Sequence, residues 1–199
     1  MATLGGWTAN VIVGGMPEAI ATAIGKLAEQ LIGAEYTPIA YLGSQVVNGT
    51  NHAVLAEQTI LSGKDTKNVV VLIFNEKQQA GKLPEVTLVN IERVLEGGNG
   101  MGGLKIDATT EIPAEAQEAF DSVMKGFVGS KVEPFAYLGQ QVVKGINYVF
   151  AAKVTPVYPD AETSIAIVTV NSMVGKINFA DLLANKHQVS LGAPLGEWP

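Results

Sequence analysis

The chain repeats itself once. Position 17 aligns with position 113, and the alignment runs without a gap to 75 and 171. Identities recur along it: Pro17/Pro113, Ala23/Ala119, Gly33/Gly129, Pro38/Pro134, Ala56/Ala152, Thr59/Thr155 and Asn75/Asn171. The densest block is Ala40-Tyr41-Leu42-Gly43, Gln45-Val46-Val47, Gly49 and Asn51, against Ala136-Tyr137-Leu138-Gly139, Gln141-Val142-Val143, Gly145 and Asn147. A repeat of about 100 residues is too long for a solenoid, so the chain is read as a duplicated domain. The expected domains are 1–97 and 98–199. Between them lies a joint at 96–103, where five of eight residues are glycine and flexibility is expected.

Each copy follows one plan. Ile20, Ile24, Leu27 and Leu31 mark one face of an amphipathic helix, and Ala116, Phe120, Val123 and Phe127 occupy the equivalent positions. Pro17 and Pro113 suit the first helical turn, and Gly33 and Gly129 suit a left-handed residue closing the helix. Strands are expected at 37–44, 46–60, 68–74 and 86–95, and again at 134–140, 142–154, 164–170 and 177–183. The second copy's last hairpin loop is shorter. Hairpin-length connections imply an antiparallel meander, with the helix covering one face. The fold class expected is therefore α+β, twice over.

Composition removes several functions. The 199 residues carry a net charge of −6. The charge divides evenly between the halves, so a nucleic acid would be repelled by both. Cysteine is absent, which excludes disulfides, thiolate metal sites and cysteine catalysis and fits a reducing compartment. No apolar run reaches the length of a membrane span, and the first residues lack a signal-peptide pattern. A cytoplasmic protein without membrane association is expected. No catalytic residue, metal ligand or cofactor site stands out. His52 and His187 are the only histidines and read as structural or incidental. Glu115, Glu118 and Asp121 read as a solvated helix face. Asn48-Gly49-Thr50 is a formal glycosylation sequon, relevant only in a secreted chain. The segment "SLGAPLGEWP" ending in Trp198-Pro199 is either a tail or a strap.

The repeated loop is chemically odd. Tight turns favour Gly, Asn or Asp, whereas valine is stiff and apolar. On the bland reading, Gln-Val-Val-x-Gly is only a strand-turn-strand with glycine at positive φ. Yet helix core positions drifted between the copies while this loop stayed. Exposed valines at a hairpin tip suit contact with a partner groove. The glutamine would hold the loop or donate to the partner's backbone.

"YLGSQVVNGTN" and "YLGQQVVKGIN" resemble the first hairpin of the cystatins, the protein inhibitors of papain-like cysteine proteases, whose motif is Gln-x-Val-x-Gly. The resemblance covers roughly 5–95 and 102–185, and lack of cysteine looks most like the stefin branch. It implies two tandem cystatin-like domains, each one α-helix wrapped by a four- to five-stranded antiparallel sheet. It also implies reversible, non-covalent occlusion of a papain-like active-site cleft, with no enzymatic activity. The implied contacts are the N-terminal trunk glycines Gly5 and Gly6, the hairpin Gln45, Val46, Val47, Asn48 and Gly49, and their counterparts Gly102, Gly103, Gln141, Val142, Val143, Lys144 and Gly145. Gly14-Gly15 reads instead as a helix-entry turn. The second hairpin loops, 76–82 and 172–176, lack the Pro-Trp or Leu-Pro dipeptides of that family. Leu83-Pro84 falls late, although "SMVG" is apolar enough for contact. The alternative is a binding or scaffold module with a partner other than a protease. A monomer or a domain-swapped dimer is expected.

Overall fold

The computed structural model describes residues 6–62 and 66–183. The chain divides into two compact units, Met1–Leu95 and Glu96–Pro199.

In the first unit, β1 (Trp7–Val13) precedes helix α1 (Glu18–Gln30). Four strands come next: β2 (Ala34–Val47), β3 (Gly49–Ile60), β4 (Thr66–Lys77) and β5 (Glu85–Glu96). They form one five-stranded sheet in sequence order, with β1 antiparallel to β2 at one edge. The second unit repeats the plan with β6 (Leu104–Thr109), α2 (Ala114–Met124), β7 (Ser130–Val143), β8 (Gly145–Pro156), β9 (Ser164–Asn171) and β10 (Ile177–Asp181). Its sheet also keeps sequence order, with β6 and β10 at its edges.

The expected α+β class is corrected by these elements. The described residues are mostly strand, with two helices and two five-stranded antiparallel sheets. The fold is mainly β, not a pair of cystatin-like domains each built by a sheet wrapping its helix. The reason lies in the central strands. Val54, Ala56, Val70, Leu72 and Phe74 join Ile20, Ile24 and Leu27 of α1 in one core. Leu55, Val69 and Val71 alternate with them and are equally buried. A strand buried on both faces reads as a continuous apolar run, and a short helix accounts for only one of those faces. In the second unit Ala116 and Phe120 pack with Tyr137, Tyr148, Phe150, Val168 and Val170, while Val149, Ala151, Ile165 and Ile167 are buried on the alternate face.

The punctuation differs in detail from expectation. Pro17 and Pro113 stand one residue ahead of their helices as N-caps, and their carbonyls accept from Ala21 N (3.0 Å) and Gln117 N (2.9 Å). Gly33 and Gly129 do have positive φ, +101° and +112°, but they lead into β2 and β7. There their carbonyls accept from Leu61 N and Val157 N. Phe127 lies beyond the end of α2, where its ring meets Phe179 at 5.6 Å. The block Tyr-Leu-Gly also gains a reason. A Cβ on Gly43 would overlap the Thr8 carbonyl oxygen, and one on Gly139 would overlap that of Lys105. The glycine lets the first strand of each unit close on the second.

Candidate functional site

The Gln-Val-Val-x-Gly segment ends one strand and begins the next. Val47 pairs with Gly49, Val46 with Thr50 and Gln45 with Asn51, which leaves Asn48 alone at the tip. Gly49 has φ +96°, and a Cβ there would stand 2.5 Å from the carbonyl oxygen of Glu76 on β4. Both facts call for glycine. The valines are therefore the last two residues of β2 and not the turn itself. Consecutive strand residues point to opposite faces, yet Val46 and Val47 are 55% and 42% exposed. The tip stands clear of the packed part of the sheet.

Behind the tip, amide side chains cross three strands. Asn51 Nδ2 donates to Gln45 Oε1 at 2.9 Å, and Asn75 Nδ2 donates to Asn51 Oδ1 at 2.8 Å. Asn75 Nδ2 also approaches the carbonyl oxygen of Asn48 at 3.4 Å. The second unit repeats every link: Asn147 to Gln141 at 3.2 Å, Asn171 to Asn147 at 2.8 Å, and Asn171 to the carbonyl of Lys144 at 3.3 Å. This ladder explains why Gln45/Gln141, Asn51/Asn147 and Asn75/Asn171 are identical between the copies. Of the two roles expected for the glutamine, the structure places it in the first, holding the loop.

The second tip has the same form. Val143 pairs with Gly145, whose φ is +86°, and Lys144 occupies the apex. Val142 and Val143 are 64% and 43% exposed.

The expected trunks differ between the units. Gly5 lies outside the described residues. Gly6 directly precedes β1, whose Trp7 pairs with Gln45. The stretch 96–103 closes on itself: Gly98 N donates to the carbonyl of Leu104 at 2.9 Å, and Gly103 N to that of Gly100 at 3.0 Å. A Cβ on Gly103 would lie 2.5 Å from the Gly98 oxygen, so the Gly103 position is committed to this turn. Gln141 Nε2 donates to the Gly102 carbonyl at 2.8 Å and ties the turn to the hairpin. Met101 sits on its outside, fully exposed.

The second loops differ more. In the first unit β4 continues to Lys77, so Glu76 is still a strand residue, opposite Thr50. Polar contacts come after it, Gln78 Nε2 to Glu76 Oε1 and Gln79 Nε2 to Glu85 Oε2. In the second unit Asn171 Oδ1 accepts from Met173 N at 3.0 Å and Val174 N at 2.9 Å. Met173 and Val174 are 67% and 54% exposed. The apolar "SMVG" is legible in the sequence, whereas the role of Asn171 is not. Its signal there is a polar identity at a strand end in both copies.

His52 lies beneath the first tip. Its Nδ1 is 2.8 Å from the Tyr41 hydroxyl, and its Nε2 is 3.5 Å from Glu76 Oε2. Burial lowers its pKa from the ordinary value near 6.5, and the Glu76 carboxylate offsets part of that. In the second unit this position is Tyr148, buried against the core. Tyr137 is pushed up to about 12, chiefly by burial and secondarily by Asp107, so its phenol keeps its proton at physiological pH. His187 and the Trp198 segment lie outside the described residues.

At each tip the exposed valines stand beside amides and backbone, with Lys144 at the second apex and Glu76 opposite Thr50 at the first. Among the described residues no cluster of three or more His, Cys, Asp or Glu is placed to hold a metal. Among them, too, no helix is long and apolar enough to cross a membrane. No protein-family model matches the chain, and no curated protein matches it.

Proposed function

We propose that this protein is a reversible, non-covalent inhibitor of papain-like cysteine proteases that acts by filling the active-site cleft. One observation carries the reading. In both units an exposed valine pair ends the strand leading into a hairpin tip whose shape is fixed from behind by an amide ladder. Each of these half-exposed valines gains on the order of 1 kcal/mol when an apolar cleft covers the part still in water. A tip already in its bound shape loses little of that to ordering. The motif's resemblance to the cystatin hairpin names the target class. Lack of cysteine suits a cytoplasmic setting.

The direct test is titration of active papain with the full chain, at enzyme concentration well above the dissociation constant. Linear loss of activity ending at one half equivalent means both tips bind at once, and one equivalent means one does. Activity unchanged at about tenfold excess sinks the reading. A second reading, a binding module with a partner other than a protease, draws on the turn at 98–104. Gly102 and Gly103 are engaged inside the fold there, whereas an inhibitory trunk would need them free to enter the cleft.

A further inference from the structure

We infer that the two tips are unequal, and that the second unit carries the principal binding head. The inference rests on the inhibitor reading and divides that activity between the units. At the end of the second sheet, the turn bearing Met101, the hairpin bearing Val142 and Val143, and the loop bearing Met173 and Val174 expose apolar side chains together. Side-chain ties draw them to one place. Gln141 joins the hairpin to the Met101 turn through Gly102 O. Asn171 joins it to the third loop, giving Nδ2 to Lys144 O while Oδ1 receives the amides of Met173 and Val174. Ser172 completes the join by pairing with Ile146 through its amide (2.9 Å) and its hydroxyl (3.0 Å). Gly145 lies so close that a Cβ there would stand 2.7 Å from Met173 Cβ.

The first unit lacks the last of these braces. Asn75 makes the same donor contacts, but its buried Oδ1 has no hydrogen-bond partner, because β4 runs straight on past it to Lys77. Beyond it come Glu76, Lys77 and Gln78, a charged and polar run beside two valines. A narrow apolar cleft fits the second end, where thioether and isopropyl groups project from a braced frame. The second end carries one charge at its apex, the exposed Lys144, clear of Met173 and Val174 in sequence. At the first end Glu76 is engaged by Gln78 and faces His52, and Lys77 follows it. The third loop there offers charge where the second unit offers apolar side chains, and bringing it into an apolar cleft would cost desolvation.

Two measurements test this. Inhibition of papain by the full chain is compared for Val142→Asp and Val46→Asp, both at exposed sites where folding is undisturbed, and for Met173→Asp. The expected result is that Val142→Asp and Met173→Asp each raise the inhibition constant about tenfold or more beyond the rise from Val46→Asp. Equal losses, or a larger loss from Val46→Asp, overturn the inference while leaving the inhibitor reading intact. A wild-type chain that does not inhibit overturns both. Amide hydrogen exchange then reads the brace itself. Met173 and Val174 amides should exchange slowly, and Asn171→Ala should release them while the amides of β8 stay protected. Fast exchange at Met173 and Val174 in the wild type contradicts the braced head.

Discussion

Asn51 gives its side-chain amide to Gln45 at 2.9 Å, directly across the strand pair that ends in the first tip. The same bond joins Asn147 to Gln141. Either asparagine is at once donor to a glutamine and acceptor from a second asparagine on the next strand. Replacing Asn147 with alanine removes both bonds from a site where Gln141 is buried. A loss of about 1–3 kcal/mol is expected, read as a lower urea midpoint at unchanged slope.

Glycine substitutions should part company by location. Gly139→Ala forces a methyl into the Lys105 carbonyl at positive φ, so β6 must shift; destabilisation of about 1–3 kcal/mol is expected. Gly25→Ala lies mid-helix in α1 with nothing within 4 Å of the added carbon. It should stabilise by about 0.5–1 kcal/mol. Thermal unfolding of the two variants beside the parent gives both signs.

Phe150 is fully buried between two rings, edge-on to Phe120 at 5.3 Å and to Tyr137 at 6.1 Å. Phe150→Ala should cost about 3–5 kcal/mol. Chemical denaturation followed by aromatic circular dichroism measures it.

His52 should make stability depend on pH with a definite sign. Its folded-state pKa lies below the ordinary 6.5, so the unfolded chain binds the proton more readily. The associated stability is present above about pH 6.5 and is lost as the pH falls through the lower folded-state value. The slope stays under about 1.4 kcal/mol per pH unit, the ceiling for one proton. Equilibrium unfolding of the parent and of His52→Gln from about pH 7.5 to 5 should show a steeper acid loss in the parent.

The sequence made the duplication, the strand order and the tip positions legible because these arise from periodicity and from identities between the copies. The balance of helix and strand is not legible in the same way. A strand buried on both faces gives the same apolar run as one that merely faces a helix, and "NVVVLIF" does not say what lies behind Val69 and Val71. The strand break expected at 45 and 141 falls instead at Asn48-Gly49 and Lys144-Gly145, because β2 and β7 run through the valines. In sequence Gly102 and Gly103 look like a trunk. Their engagement depends on Gly98 and Gln141, contacts that no local pattern announces.

The amide ladder has a consequence for change over time. Its ties run through residues 45, 51 and 75 and through the main chain at 48, and through 141, 147, 171 and the main chain at 144. None runs through the side chains at 46, 47, 142 or 143. The frame that sets the loop's shape is thus chemically separate from the letters the loop presents. Two such frames in one chain can be rewritten independently at their apices, each toward a different recipient, while the scaffolding behind them stays as it is.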